Sequence, residues 1–167
     1  MPYSAGEGKD WIIGRIAPGA VVLDVGTGAG TYAKLLPGRD MYGIEIFEPY
    51  VDRFGLASLY RRLYVGDART LDYPRVDVVI LGDVLEHVVK AEALGVWAKA
   101  RDAARVAVFL SLPIYGYEQG EVAGNRHEAH LHQWSHEEVM CDLPGIAESW
   151  QGQIVGAYRA DPSRIAR

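Results

Sequence analysis

Residues 21–31, Val21-Val22-Leu23-Asp24-Val25-Gly26-Thr27-Gly28-Ala29-Gly30-Thr31, constrain the chain more than any other stretch. An apolar run containing one acid gives way to glycine at every second position, and a helical pattern follows. Short continuous apolar runs of this kind suit a strand buried on both faces. Glycine takes backbone angles that other residues resist and lets a ligand lie against the main chain. The free amides of such a turn can face a polar or anionic group. The stretch therefore predicts strand, tight turn and helix, arranged as a cradle for a nucleotide or cofactor.

The rest of the chain supplies further strands and helices, with no internal repeat. Residues 1–6 read as loose, and residues 7–17, with Trp11, Ile12, Ile13 and Ile16, predict a short amphipathic helix ended by Pro18-Gly19. Strands are expected at Ala20–Val25, Met41–Ile46, Leu63–Val65, Val76–Leu81 and Val106–Leu112. Helices are expected from Thr31 to Leu36, from Pro49 to about residue 60, and from Leu85 to Ala104, with entry after Val88-Val89 an alternative. Residues 113–131 are polar and lack periodicity, as functional connections do. Ser135–Leu143 predicts a last helix capped by Ser135, with Glu138 at capping-box spacing. Ile146–Trp150 and Ile154–Tyr158 predict a closing pair of strands, and the tail from Asp161 reads as dispensable. The expected fold class is α/β: one compact domain over residues 1–167, a doubly wound, mostly parallel sheet with an antiparallel closing strand.

Composition narrows the class of partner. The formal charge of −5 and the lack of a strongly basic stretch argue against a nucleic-acid partner. Cys141 stands alone, so neither an internal disulfide nor a cysteine-rich zinc site is available. The start of the chain lacks the basic and apolar regions of a secretory leader, and no apolar run approaches the ~20 residues of a membrane span. The expectation is a cytoplasmic protein without a membrane partner.

In doubly wound sheets, ligands bind outside the carboxyl ends of the strands. Polar features recur at those ends: Asp24–Gly30 after the first strand, Glu45 at the second, Asp67 after the third and Asp83 after the fourth. Glu45 follows Gly28 by 17 residues, in the range of a carboxylate that accepts from ribose hydroxyls. Gly66-Asp67-Ala68 offers an acceptor side chain and a backbone amide, the pair that an adenine edge requires. Gly28-Ala29-Gly30-Thr31-Tyr32-Ala33 also fits a nicotinamide-type pattern, so an NAD-binding oxidoreductase-type domain is the alternative. The acids at later strand ends and the short chain argue against it.

Leu23-Asp24-Val25-Gly26-Thr27-Gly28-Ala29-Gly30 resembles the first motif of the class I S-adenosylmethionine-dependent methyltransferases. Tyr42-Gly43-Ile44-Glu45 resembles their second motif, Gly66-Asp67-Ala68 their third, and Asp77–Val88 the fourth strand with the Leu85-Glu86-His87-Val88 segment of small-molecule members. The resemblance spans about residues 20–112. It implies S-adenosyl-L-methionine as cofactor, bound by Asp24, Gly26, Thr27, Gly28, Gly30, Glu45, Ile46, Asp67, Ala68 and Asp83, with Asp24 in a supporting role. It implies in-line transfer of a methyl group to an oxygen, nitrogen or carbon nucleophile, most simply on a small molecule. A cofactor-binding partner subunit without catalysis is a further alternative, and a homodimer that completes the pocket is left open.

The substrate side is expected in the loop of residues 113–134. Leu131-His132-Gln133-Trp134-Ser135-His136-Glu137-Glu138-Val139 resembles the segment before the last helix of many small-molecule members. An acidic acceptor must lose a proton, and histidine exchanges one near neutral pH. The candidate bases are His130, His127 and His132, with His132 also implied by the resemblance to support the fold. Tyr115, Tyr117, Trp134 and Trp150 are candidates to shape the pocket. A metal at His130 and His132, joined by His127 or Glu128, lacks zinc-type spacing, so no metal is expected.

Overall fold

The computed structural model describes residues 6–163. The looseness expected of residues 1–5 and the character of residues 164–167 lie outside them. Seven strands form one sheet: β1 (Val21–Val25), β2 (Asp40–Glu45), β3 (Arg62–Val65), β4 (Val76–Gly82), β5 (Ala104–Pro113), β6 (Ile146–Gln151) and β7 (Val155–Ala160). Their order is β3-β2-β1-β4-β5-β7-β6. The first five run parallel, and β7 lies antiparallel between β5 and β6. The expected doubly wound sheet is therefore present, closed by the expected hairpin at one edge.

Burial explains why these runs became strands. Alternate residues of β1 face opposite layers, with Val22 in one apolar cluster and Leu23 and Val25 in the other. One layer is built on α5 (Lys90–Ala103), through Ala93, Val96, Trp97 and Ala100, and on α6 (His136–Asp142), through Val139. The other layer takes Ile12 from α1 (Lys9–Ile13), Tyr32 from α2 (Thr31–Leu35), Tyr50 from α3 (Pro49–Arg53) and Leu56 from α4 (Leu56–Leu59). Among the described residues, no helix is long and apolar enough to cross a membrane.

Several helices are shorter than the sequence suggests. The segment of residues 7–17 is helical only over Lys9–Ile13. The helix expected from Pro49 to residue 60 breaks at Gly55, whose φ of 62° is left-handed. Leu85–His87 forms a 3₁₀ turn, and α5 begins only at Lys90. That break aims Glu86 and His87 toward the carboxyl edge of the sheet instead of along a helix. The Ser135 hydroxyl caps α6 by accepting from the Glu138 amide at 3.1 Å, while the Glu138 carboxylate turns away to Lys90 and His132.

Gly30 belongs to this architecture and not to the cleft described below. Its φ is 72°, and a Cβ there would lie 2.6 Å from Leu59 Cδ1 of α4. The close approach fixes α2 against α4. Gly30→Ala is expected to lower the free energy of unfolding by about 1–3 kcal/mol, read from urea denaturation. An unchanged midpoint would show that the turn relaxes without cost.

Candidate functional site

The sheet changes winding direction between β1 and β4, and a crevice opens there at the carboxyl ends of the strands. An open cleft of ≈ 1020 Å³, solvent included, occupies this position. Its walls include Gly26, Thr27 and Gly28 after β1, Glu45 and Ile46 at the end of β2, Asp67 and Ala68 after β3, and Asp83 after β4. Eight of the expected cofactor residues thus meet in one place. Asp24 and Gly30 do not line it. The loops after β1 and β4 are in direct contact: Gly26 has a φ of 72°, and a Cβ there would sit 2.7 Å from Val84 Cγ2.

Glu45 holds the glycine loop in shape. Its Oε2 accepts from the Gly28 amide at 2.9 Å and from Thr27 Oγ1 at 3.0 Å. Its Oε1 accepts from the Phe47 amide at 2.8 Å. A carboxylate has about four lone-pair positions, so a further donor can still be accommodated. Burial raises the Glu45 carboxyl above its ordinary range, against the three hydrogen bonds. Asp24 lies beneath the loop, where its Oδ2 accepts from the Tyr60 hydroxyl at 2.6 Å. Burial pushes the Asp24 carboxyl up to about 7.

Asp67 presents a different environment. Its carboxylate takes Arg69 Nη2 at 2.6 Å and the Arg69 amide at 2.8 Å, which holds it below the usual carboxylate range. Arg69 in turn reaches Glu92 at 2.7 Å. Asp83 has a φ of 54°, a left-handed angle that is uncommon for a residue with a side chain.

The loop after β5 forms the opposite wall. Asn125 caps a 3₁₀ turn over Arg126–Glu128 by accepting from the His127 amide at 3.0 Å. Asn125, His127 and Glu128 line the cleft, as does Tyr50 of α3, whose hydroxyl donates to Glu128 Oε1 at 3.1 Å. Of the three candidate histidines, only His127 is in the wall. His130 sits with its ring 5.0 Å from that of His87, and burial lowers both imidazoles below their ordinary pKa. His132 Nε2 pairs with Glu138 Oε1 at 2.9 Å, and its ring meets Trp134 edge-on, a bracing position. Tyr115 and Tyr117 are exposed, Trp134 is buried in the α5 layer, and Trp150 packs against the other layer. None of the four lines the cleft.

Sequence reasoning missed Tyr50, Asn125 and Val84 as wall residues. Tyr50 reads only as part of a helix start, and Asn125 lies in a loop without periodicity. Val84 carries no polar group that would mark it, although its position directly after Asp83 places it at a strand end.

Residues 23–106 match the family described as a methyltransferase domain. No curated protein matches the sequence significantly. Among solved structures, the PH0226 protein of Pyrococcus horikoshii OT3 is similar with a TM-score of 0.73 and 16% identity, over 93% of this chain and 88% of that one. The glycopeptide N-methyltransferase MtfA, solved with S-adenosyl-L-homocysteine, has a TM-score of 0.69 and 16% identity over 93% and 88%. The 1,6-didemethyltoxoflavin-N1-methyltransferase of Burkholderia thailandensis, solved with bound 1,6-didemethyltoxoflavin and S-adenosylhomocysteine, has a TM-score of 0.62 and 19% identity over 91% and 74%.

The buried acid beneath the loop has a measurable signature. Asp24 has an ordinary pKa of 3.8 and a folded value of about 7, so between these the native state keeps a proton that the unfolded chain has lost. Its contribution to stability is therefore present at the acid end of that window and is lost as pH rises through it. Asp24→Asn removes the titration while retaining an acceptor for Tyr60. Relative to this variant, wild-type stability is expected to decline as pH rises from 4 to 7, measured by urea unfolding; parallel profiles would refute the assignment.

Proposed function

The chain belongs to the methyltransferase-domain family, and from that premise we propose that it binds S-adenosyl-L-methionine in this cleft and transfers the methyl group to a small molecule. Its fold is that of the class I S-adenosylmethionine-dependent methyltransferases. The observation that carries the proposal is the meeting of Gly26–Gly28, Glu45 and Asp67 in the walls of one cleft. S-adenosylhomocysteine in the MtfA and Burkholderia relatives supports the same ligand.

The residues present fit the cofactor. Gly26 lines the cleft and packs so closely on Val84 that a side chain there has no room, which keeps the loop against the cleft floor where the methionyl part would lie. Glu45 has acceptor capacity left for a ribose hydroxyl after holding Gly28, Thr27 and Phe47. Asp67 and the Ala68 amide form the acceptor and donor pair for an adenine edge, once an Arg69 hydrogen bond yields. When bound, the cofactor supplies a sulfonium methyl group open to in-line displacement.

The chain's own part is to position an acceptor and to move its proton. His127 stands in the cleft wall with its backbone amide tied to Asn125, so its ring is the candidate base for an acidic acceptor. Glu128 and Tyr50, bonded to each other, form the wall beside it. Oxygen, nitrogen and carbon acceptors all remain within this arrangement.

Calorimetric titration tests the reading directly. S-adenosylhomocysteine is expected to bind and NAD to be ignored, and Asp67→Ala is expected to weaken the former by at least about tenfold. Binding of NAD instead would reverse the assignment. His127→Ala is expected to retain S-adenosylhomocysteine affinity while slowing methyl transfer by about 10²-fold or more.

A further inference from the structure

We propose that Glu86, His87 and His130 form a binding site for a divalent first-row transition metal, with an oxygen of the methyl acceptor as an additional ligand. The acceptor part rests on the methyl-transfer reading; the metal site does not.

One ligand-capable atom from each of these residues lies within 4.8 Å of the others. Glu86 is only 1% exposed, and neither carboxylate oxygen has a hydrogen-bond partner among the described residues. A carboxylate taken out of water without partners is costly, and a cation bound at its oxygens offsets that cost.

The imidazoles are prepared in the same sense. His87 Nδ1 lies 3.2 Å from the Ala129 carbonyl oxygen, and His130 Nδ1 lies 2.7 Å from that of Tyr117. A carbonyl only accepts, so each Nδ1 carries the hydrogen and each neutral ring keeps its lone pair on Nε2. A metal-bound imidazole usually donates its second nitrogen to a carbonyl or carboxylate in this way.

The backbone assembles the group from distant parts of the chain. The amides of Leu131 and His132 both donate to the Glu86 carbonyl, at 2.8 and 3.2 Å. They draw the loop after β5 onto the turn after β4 and set His130 beside His87. The sequence did not predict a metal because the partners are not neighbours in a ligand-spacing motif: Glu86 and His87 are adjacent, and His130 comes from another loop.

The donor set selects the ion. Two imidazoles and one carboxylate suit zinc, iron, cobalt or manganese better than magnesium or calcium, which prefer oxygen throughout. Three protein ligands leave coordination positions open. Of the three, His87 lines the cleft, and an acceptor in the cleft would meet the ion beside it. An acceptor hydroxyl held there releases its proton to water at a lower pH than the free alcohol does.

The full chain, stripped with a chelator and dialysed, is titrated with Co²⁺ and Zn²⁺ by calorimetry, with the visible spectrum of Co²⁺ as a second readout. One ion per chain is expected. Glu86→Gln and His130→Ala are each expected to weaken its binding by at least about tenfold, with the circular dichroism of His130→Ala unchanged. S-adenosylhomocysteine binding is measured on the same samples. Intact S-adenosylhomocysteine binding without metal uptake overturns the metal site and leaves the methyl-transfer reading standing. Metal uptake undiminished in both variants overturns the site as well. Metal uptake lost in both variants supports the site even where S-adenosylhomocysteine fails to bind, an outcome that sinks the methyl-transfer reading alone. Acetohydroxamate, a small oxygen donor, is expected to shift the Co²⁺ spectrum; an unchanged spectrum overturns the acceptor part.

Discussion

The glycine loop after β1 keeps its shape because a buried carboxylate holds it. Glu45 comes from the next strand, yet its side chain accepts from the Gly28 amide, the Thr27 hydroxyl and the Phe47 amide. The Gly26 and Thr27 amides meanwhile donate to the Ile44 carbonyl at 2.8 and 3.1 Å. Two strand ends are thereby joined into one unit, and the amides that a bare turn would leave to water are satisfied. The Gly66 amide adds the third strand end by donating to the Glu45 carbonyl at 2.7 Å. This side of the cleft is preorganised because one residue anchors the loops at the ends of β1, β2 and β3.

That arrangement gathers negative charge. Glu45, Asp83 and Glu128 line the cleft, with Asp24 and Glu86 buried behind it. Burial raises Asp24, Glu45 and Glu86, and for Glu86 the charge of Asp83 adds to the effect. Natural interiors seldom retain acids without compensation, because each costs desolvation energy. Hydrogen bonds compensate Glu45 and Asp24. A positively charged ligand would compensate further, and both a sulfonium-bearing cofactor and a metal cation have that sign.

The fold and the cleft wall at the strand ends were legible in the sequence because both are written in local patterns. Continuous apolar runs predicted the parallel strands, and the polar residues at their ends pointed to Glu45, Asp67 and Asp83. Asp24 and Gly30 were legible as part of the motif but not in their separate tasks. Strand alternation turns Asp24 into the layer beneath, to Tyr60, and the left-handed Gly30 packs against Leu59. The acceptor side was far less legible. Residues 113–131 contain no period, so nothing in their order tells that Asn125 fixes His127 or that His130 meets His87. Those relations are set by contacts between loops, which spacing along the chain does not encode.

Glu86 shows how much a single position can carry in such a loop contact. Its carbonyl receives the amides of Leu131 and His132, so the loop cannot lift from β4 without losing both. Its side chain, on the same turn, stands beside His87 and His130. Gln119 secures the same loop from within, its Nε2 donating to the Glu128 carbonyl at 2.6 Å while its own carbonyl accepts the His130 amide at 2.8 Å. The loop after β5 is thus tied down by hydrogen bonds through residues 86, 119, 128 and 130–132, all but the Gln119 side-chain bond being main-chain to main-chain. An aperiodic loop fixed in this manner need not be ordered by a ligand first. The histidines it carries are held in place by the fold itself, as the glycine loop is held by Glu45 on the opposite side of the cleft.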